Sequence, residues 1–458
     1  MAETALGSGT EHSSEQPELK RAIGPKLLLF FVIGDILGTG IYALTGSVAK
    51  VIGGALWVPF LLAFAVAFIT AFSYLELVGK YPRAAGAALY THKAFGINFL
   101  TFMVTFTVMS SGVTSAATAA KAFGDTYLKE FITLPTWAVA AVFIAGLALI
   151  NFRGVGESVK ANVVLTCIEL SGLLLIIAVG VYAVAAGKGA PARLVEINTG
   201  DTGVFLAITA ATSLAFFAMV GFEDSVNMAE ECRNPARIFP RAMLLGMGIA
   251  GLIYVIVAVL SSMLVPAAEL GAAGSGALFA VLRAGAPGFP LAVFAAIGLF
   301  AVINSALINM LMASRLLYGM ANERILPRVF GTVHPTRRTP WVSIVFTSVI
   351  AIILVLTADI SLLGGTTALL LLAVFTIVNI AVLVLRRDRV EHDHFRAPGW
   401  TPYVGIVLCG FLATPLSGRP LQQFVVAGIL LVIGAVLWVV NRLVVGKVDV
   451  DPTSLTKG

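Results

Sequence analysis

Charged residues are scarce in this 458-residue chain, at 12% of the sequence, about half the fraction typical of a soluble domain. Cysteine is rarer still, with three residues whose spacing suits neither a disulfide framework nor a metal site. The sequence lacks the GxxxxGK[ST] loop, so direct use of ATP is not expected. Its apolar segments lack a nucleophile–base set, which argues against an enzyme, and no cofactor is predicted.

Apolar sequence is what the chain has in abundance: 59% of it is hydrophobic, and its mean hydropathy is +0.97. This composition predicts an all-α polytopic membrane protein in a lipid bilayer. The basic residues behind the net charge of +6 are spread over short loops, so nucleic acid is not an expected partner. Twelve apolar segments, most near the length that spans a bilayer, are predicted as transmembrane helices: 27–51, 54–78, 97–122, 136–152, 162–186, 203–228, 241–265, 289–316, 341–358, 362–385, 402–418 and 422–444.

The distribution of lysine and arginine predicts the orientation. With an even number of spans both termini share a side, and a cytoplasmic N-terminus places 23 of the 30 basic residues in cytoplasmic loops. The positive-inside rule therefore predicts a multi-pass protein of the cell membrane with both termini cytoplasmic. Residues 1–19 are polar, acidic and without the apolar core of a signal peptide, which predicts a disordered cytoplasmic tail over residues 1–25. Residues 445–458 are predicted to form a second cytoplasmic tail.

Glycines interrupt the first apolar segment. Gly34, Gly38 and Gly40 fall within seven residues, and each weakens a helix by about 1 kcal/mol relative to alanine. A broken membrane helix persists only where its freed backbone groups line a cavity or are buried in protein. The cluster therefore predicts a binding site, with close packing of small residues between helices as the alternative. A second interrupted segment around 219–224 favours the site.

The two interrupted segments each open a block of five predicted spans. The blocks cover 26–186 and 203–386, and because five is odd the second is inverted relative to the first. This pattern predicts a 5+5 inverted-repeat transporter in which broken helices 1 and 6 meet. Two accessory helices would then occupy 400–444. The alternative is that two glycine-containing helices occur by chance.

Four motifs resemble those of a known family, and they fall in the family's order. They are GDILGTGIY at 34–42, YLEL with YPRAAGAALY at 74–90, FFAMVGFED with AEECRNPARIFPR at 216–241, and SRLLYGMA with LP at 314–327. Over about 27–400 the chain resembles the amino acid–polyamine–organocation (APC) permeases, closest to the bacterial branch that is similar to cationic amino acid transporters. The resemblance implies a secondary active transporter of amino acids that works by alternating access.

The mode of transport that the resemblance implies is proton-coupled symport, so the expected partners are an amino acid substrate and protons. Alternatives are an amino acid/polyamine exchanger, a sodium-coupled symporter and a channel. The rings of polar residues typical of channels are absent from the sequence. The third segment has no acid to pair with a basic side chain, which argues against a strict arginine or lysine carrier. Neither the substrate's side chain nor the oligomeric state follows from the sequence.

The resemblance also implies a substrate site at the two breaks. Amides of the first break would bind the substrate's carboxylate, and carbonyls of both breaks its ammonium. The positive dipole end of the half-helix after Gly40 independently favours an anion. The predicted site residues are Ile36, Gly38, Thr39, Gly40, Ile41, Phe217, Ala218, Gly221, Phe222 and Glu223.

Ionisable groups inside a membrane span are costly and therefore functional candidates. Glu169 stands where several proton-coupled members of the family have a lysine, which predicts that it carries the coupled proton. It could instead help to hold a sodium ion or face a helix interface as a neutral acid. Glu223 is the second candidate because it adjoins Asp224, and close carboxylates favour protonation of one of them. Asp35 either contacts the substrate or partners a helix end.

Further polar residues suggest a cation site and a gate. Ser305 and Asn309 on the eighth segment either face a possible cation site or bond between helices. Charges at the cytoplasmic helix ends predict an inner gate of ion pairs that break on inward opening, with ordinary interfacial charges as the alternative. The predicted gate residues are Glu76, Arg83, Glu230 and Arg237.

Overall fold

The structure is a computed structural model that describes residues 23–83, 86–154, 159–198, 203–322 and 324–446. Within these ranges its regular secondary structure is helical, apart from one isolated backbone bridge. The α-helices, in chain order, are α1 (Pro25–Leu37), α2 (Thr39–Ile52), α3 (Trp57–Lys80), α4 (Gly86–Phe95), α5 (Asn98–Ala122), α6 (Thr136–Phe152), α7 (Val159–Ala185), α8 (Gly203–Ala215), α9 (Pro235–Leu264), α10 (Ala267–Ala273), α11 (Ala277–Gly285), α12 (Leu291–Asn322), α13 (Trp341–Thr357), α14 (Ile360–Leu385), α15 (Thr401–Leu412) and α16 (Leu421–Val445).

A helix lies in each of the twelve predicted apolar segments. Nine helical stretches of the described residues, 24 to 33 residues long, are long and apolar enough to cross a membrane. The chain is therefore a multi-pass membrane protein. The other three segments form the shorter apolar helices α6, α13 and α15, of 17, 17 and 12 residues.

Some helix boundaries and three short helices differ from the sequence-based prediction. The helices α4, α10 and α11 lie between predicted spans and were not expected. The predicted span 402–418 is too long, because Thr414 before Pro415 is extended and ends the helical run. The seventh span begins at Pro235, earlier than predicted, since proline suits the first position of a helix.

The chain before α1 is anchored to the loop after the second break. Ile23 is buried, its N–H donates to the carbonyl of Glu231 at 3.0 Å, and its carbonyl accepts from the N–H of Arg233 at 3.0 Å. Residues 23–25, which the sequence assigns to the predicted tail, therefore belong to the folded chain, because Ile23 has backbone partners and α1 begins at Pro25. The rest of that tail, and the C-terminal tail from residue 447, lie outside the described residues.

Buried tyrosines fix the first broken segment within the bundle. Helix α1 packs against α7 and α9, and α2 packs against α8 and α10. The hydroxyl of Tyr42 donates to the carbonyl of Glu169 at 2.6 Å, and that of Tyr254 donates to the carbonyl of Ile36 at 2.5 Å. The bond from Tyr254 matters more for the break, because the carbonyl of Ile36 lies in the last turn of α1 and has no helical partner.

Candidate functional site

The first break lies at Gly38, between α1 and α2. Its backbone, at φ −44° and ψ −142°, is not helical. Carbonyls at the end of α1 and N–H groups at the start of α2 are therefore left without helical partners. A Cβ on Gly38 would lie 3.2 Å from the side chain of Ser305, so the break packs closely on α12.

The second break follows α8. The chain makes a 3-10 turn over Phe216–Met219, becomes extended at Val220, and continues as a 3-10 helix over Asp224–Glu231. Gly221 has a φ of +123°, which residues with a side chain rarely adopt. Its N–H donates to Oε2 of Glu223 at 2.9 Å. Glycine therefore permits the turn, and the neighbouring acid satisfies a backbone group that the break frees.

The two breaks touch one another. A Cβ on Gly40 would lie 2.4 Å from Cα of Ala218, and a Cβ on Gly221 would lie 2.7 Å from the carbonyl oxygen of Asp35. These distances leave no room for a side chain at either glycine. The breaks are adjacent, as the sequence predicts, while what they bind stays a prediction.

Two small joined cavities lie at this contact. The central cavity is lined by Asp35, Ile36, Thr39, Gly40, Ser115, Phe217, Val220, Gly221, Asp224, Ser305 and Asn309. The adjoining cavity shares Val220, Asp224 and Asn309 and is also lined by Glu223 and Ser111. Each has a volume of about 20 Å³, enough for about one water molecule. The bundle is therefore closed around the breaks, and an amino acid would enter only if the cavities widened.

The central cavity has several polar groups with unused hydrogen-bonding capacity. The hydroxyl of Thr39 is buried without a hydrogen-bond partner among the described residues. The carbonyl of Ile36 accepts from Tyr254, and that of Gly221 accepts from the N–H of Asp224 at 3.0 Å. Each carbonyl oxygen has two lone pairs, so both can accept a second bond. Asn309 donates its amide N–H to the carbonyl of Ser305 at 2.8 Å.

Four predicted site residues do not line either cavity, namely Gly38, Ile41, Ala218 and Phe222. Gly38 and Ala218 instead make the close backbone contacts described above, and Ile41 is fully buried. The ring of Phe222 packs against those of Tyr74 and Phe375, with centroids 5.7 and 5.3 Å apart. Phe222 therefore packs in an aromatic cluster outside both cavities, and its predicted place at the substrate stays a prediction.

Sequence reasoning missed two serines that line the cavities and did not include Asp224 among the substrate-site residues. Ser111 and Ser115 are four residues apart on one face of α5, and each lines a cavity. Asp224 lines both cavities, whereas Glu223 lines one and caps Gly221. The spacing of the two serines, four residues apart in an apolar segment, could have indicated them from the sequence. The directions of two adjacent acidic side chains at a break could not have been predicted in this way.

Glu169 is fully buried on α7, beside the first break but outside both cavity walls. Its Oε1 accepts from Nδ2 of Asn304 at 3.2 Å, and its Oε2 has no partner among the described residues. Within the described part of the closed bundle, one of the two carboxyl oxygens of Glu169 is therefore unsatisfied, and the role of Glu169 in proton coupling stays a prediction. Asn304 is followed by Ser305, which lines the central cavity.

Glu76, which is predicted to belong to the inner gate, forms an ion pair with Arg386, which is not among the predicted gate residues. Both oxygens of Glu76 accept from the guanidinium of Arg386, at 2.9 and 2.8 Å, and Oε2 also accepts from the N–H of Ala397 at 2.9 Å. This pairing follows from packing, since α14 ends beside the end of α3, and the inner gate stays a prediction. Arg83 and Arg237 are exposed. The side chain of Glu230 lies outside the described residues.

We expect Arg386→Ala to destabilise the fold by about 3–5 kcal/mol, because it leaves the buried Glu76 carboxylate without its charged partner. The side chain of Glu76 is 4% exposed, so water does not replace the lost bonds. Thermal unfolding in detergent measures the effect, with Arg389→Ala as the control at an exposed arginine. The double variant Glu76→Gln/Arg386→Ala should recover part of the loss. A melting temperature of Arg386→Ala equal to that of the wild type would contradict this role of the pair.

Apolar helices that surround two touching breaks are the architecture of a membrane transporter. The family model described as amino acid permease matches residues 23–445. The chain therefore belongs to the amino acid permease family, a family of transporters rather than enzymes.

Individual relatives cover nearly the whole chain. It is 28% identical to the methylthioribose transporter of Bacillus subtilis, over 90% of this chain and 92% of that protein. It is 25% identical to the branched-chain amino acid permease of the same organism, over 93% of this chain and 94% of that protein. It is 28% identical to cationic amino acid transporter 4 of Mus musculus, over 82% of this chain and 61% of that protein. These names cover three substrate chemistries, so the likeness alone does not choose among them.

Proposed function

We propose that this permease is a secondary active transporter that moves amino acids across the cell membrane by alternating access, as a proton-coupled symporter. The observation that carries the proposal is the meeting of two broken helices at one polar cavity. Its architecture would be twelve spans in a 5+5 inverted repeat, with α15 and α16 accessory and both termini cytoplasmic. Helices in all twelve predicted segments, with a break at the start of each block, support this architecture.

In this proposal the start of α2 binds the substrate's carboxylate. The first N–H groups of a 14-residue helix and its positive dipole end favour an anion. The unpartnered hydroxyl of Thr39 supplies a further donor at the same place. The ammonium would lie on the spare lone pairs of the Ile36 and Gly221 carbonyls, with the carboxylate of Asp224 in the same wall.

The test is uptake of radiolabelled amino acids into proteoliposomes that contain the purified chain. All twenty amino acids are tested as competitors, and methylthioribose is added because one relative is named for it. We expect saturable uptake of at least one amino acid, accumulated under an inward proton gradient in sodium-free buffer. Uptake that occurs only against an internal amino acid would show the exchanger. Accumulation that requires sodium, or a non-saturating flux, would contradict proton symport.

A further inference from the structure

A larger cavity opens along the same helices that line the central cavity. Its volume is about 580 Å³, within the ~300–1,000 Å³ of small-molecule sites. It is lined by Ser47 of α2 and Lys121 of α5, where the central cavity is lined by Gly40 and Ser115 of the same helices. These offsets of six or seven residues correspond to about 10 Å along each helix. We call this larger cavity the vestibule; the proposed topology places it on the outside.

Three basic side chains line the vestibule: Lys50, Lys121 and Arg419. Among the described residues neither lysine has a hydrogen-bond or ion-pair partner. Lys50 is exposed at its mouth and Lys121 is half-buried. A cavity of this size keeps its charges within about one Debye length, roughly 8 Å in physiological salt, so their fields add.

Arg419 forms part of the vestibule wall and is only 6% exposed. Its guanidinium donates to four oxygens: the carbonyls of Leu412, Gly365 and Ser213, and Oε1 of Gln423, at 2.6 to 3.1 Å. These partners hold the guanidinium in place, and since none is a carboxylate they do not neutralise its charge. Ser213 also lines the vestibule, and its buried hydroxyl has no partner among the described residues. These bonds use four of the five guanidinium N–H groups, so one N–H of Arg419 and the Ser213 hydroxyl remain as donors for a carboxylate.

Two aspartates also line the vestibule, so its wall carries some negative charge beside the three basic groups. Oδ1 of Asp359 accepts from the N–H of Leu362 at 2.7 Å and caps α14, while Oδ1 of Asp125 accepts from the hydroxyl of Thr136 at 2.7 Å. The wall therefore has three positive groups and two negative groups. A ligand with a carboxylate and an ammonium fits this mixture better than a simple anion does.

We propose that the vestibule is a second binding site for the transported amino acid, which holds its carboxylate about 10 Å from the central cavity. The lysines, Arg419 and the Ser213 hydroxyl bind the carboxylate, and the second oxygens of the aspartates face the ammonium. The site concentrates the zwitterion before it moves along α2 and α5. This inference rests on the proposed function only in taking the transported amino acid as the ligand.

The test is the double variant Lys50→Gln/Lys121→Gln, assayed with the amino acid that the wild-type protein accumulates. We expect KM to rise about three- to tenfold and kcat to stay within about twofold of the wild-type value. The reason is that the two lysine charges no longer attract the substrate's carboxylate. Raising the potassium chloride concentration should raise KM of the wild type towards that of the variant and change KM of the variant less, since the variant keeps only Arg419 of the three basic groups. Lys50→Arg/Lys121→Arg keeps the charge and should keep the wild-type KM.

Lys129→Gln/Lys188→Gln is the matched control, since it removes the same two charges from exposed lysines that do not line the vestibule. An equal rise in KM for this control would overturn the proposal, because general surface charge would then explain the effect. An unchanged KM in the double glutamine variant would overturn it too. Absence of saturable uptake by the wild type would instead refute the proposed function, so the two failures are distinguishable.

Discussion

Gly40→Ala is expected to abolish substrate binding and transport while the protein still folds into the membrane. A Cβ at this position would lie 2.4 Å from Cα of Ala218 and 2.8 Å from its Cβ. The nearest atom belongs to the backbone, so the second break must move away from the first. The two breaks would then no longer shape one site, and Gly40→Leu should be at least as severe.

Binding is measured as protection of the purified protein against heat by the transported amino acid. We expect this protection to vanish in Gly40→Ala. Gly146→Ala is the matched control, because Gly146 lies in α6 and no atom lies within 4 Å of a Cβ there. That control should bind as the wild type does. Wild-type affinity in Gly40→Ala would refute the role of the contact between the breaks.

The spans and the breaks could be predicted from the sequence because both follow from local physical chemistry. A membrane helix satisfies its own backbone and therefore needs only a long apolar run. Gly38, Gly40 and Gly221 mark places where that run cannot stay helical or where another backbone approaches. The short helices α4, α10 and α11 lack such a signal, since each has ten residues or fewer.

The partners of individual side chains could not be predicted from the sequence. Glu76 and Arg386 are 310 positions apart, and only the packed fold shows that α3 and α14 end side by side. Phe222, Glu223 and Asp224 lie in an irregular turn. Neither the helical nor the extended repeat of side-chain directions therefore predicts which of the three faces the cavity. The vestibule likewise combines residues from loops and helix ends that are distant in the sequence.

Glu169→Gln is expected to keep substrate binding and exchange but to lose accumulation driven by a proton gradient. Glu169 is 0% exposed, and only one of its carboxyl oxygens has a partner among the described residues. The amide of glutamine has nearly the shape of the protonated acid, and its oxygen can still accept from Asn304. The variant would therefore be fixed in the equivalent of the neutral state and could not release a proton.

The measurement compares concentrative uptake under an imposed pH gradient with counterflow in its absence. Counterflow needs the site and the conformational change but no coupled proton, so it should stay near the wild-type rate. Glu269→Gln is the matched control, because it makes the same substitution at an exposed acid in the first turn of α10. This control should accumulate substrate as the wild type does. If Glu169→Gln also accumulates substrate normally, the coupled proton binds elsewhere, and Glu223, which lines the adjoining cavity beside Asp224, is the next residue to test.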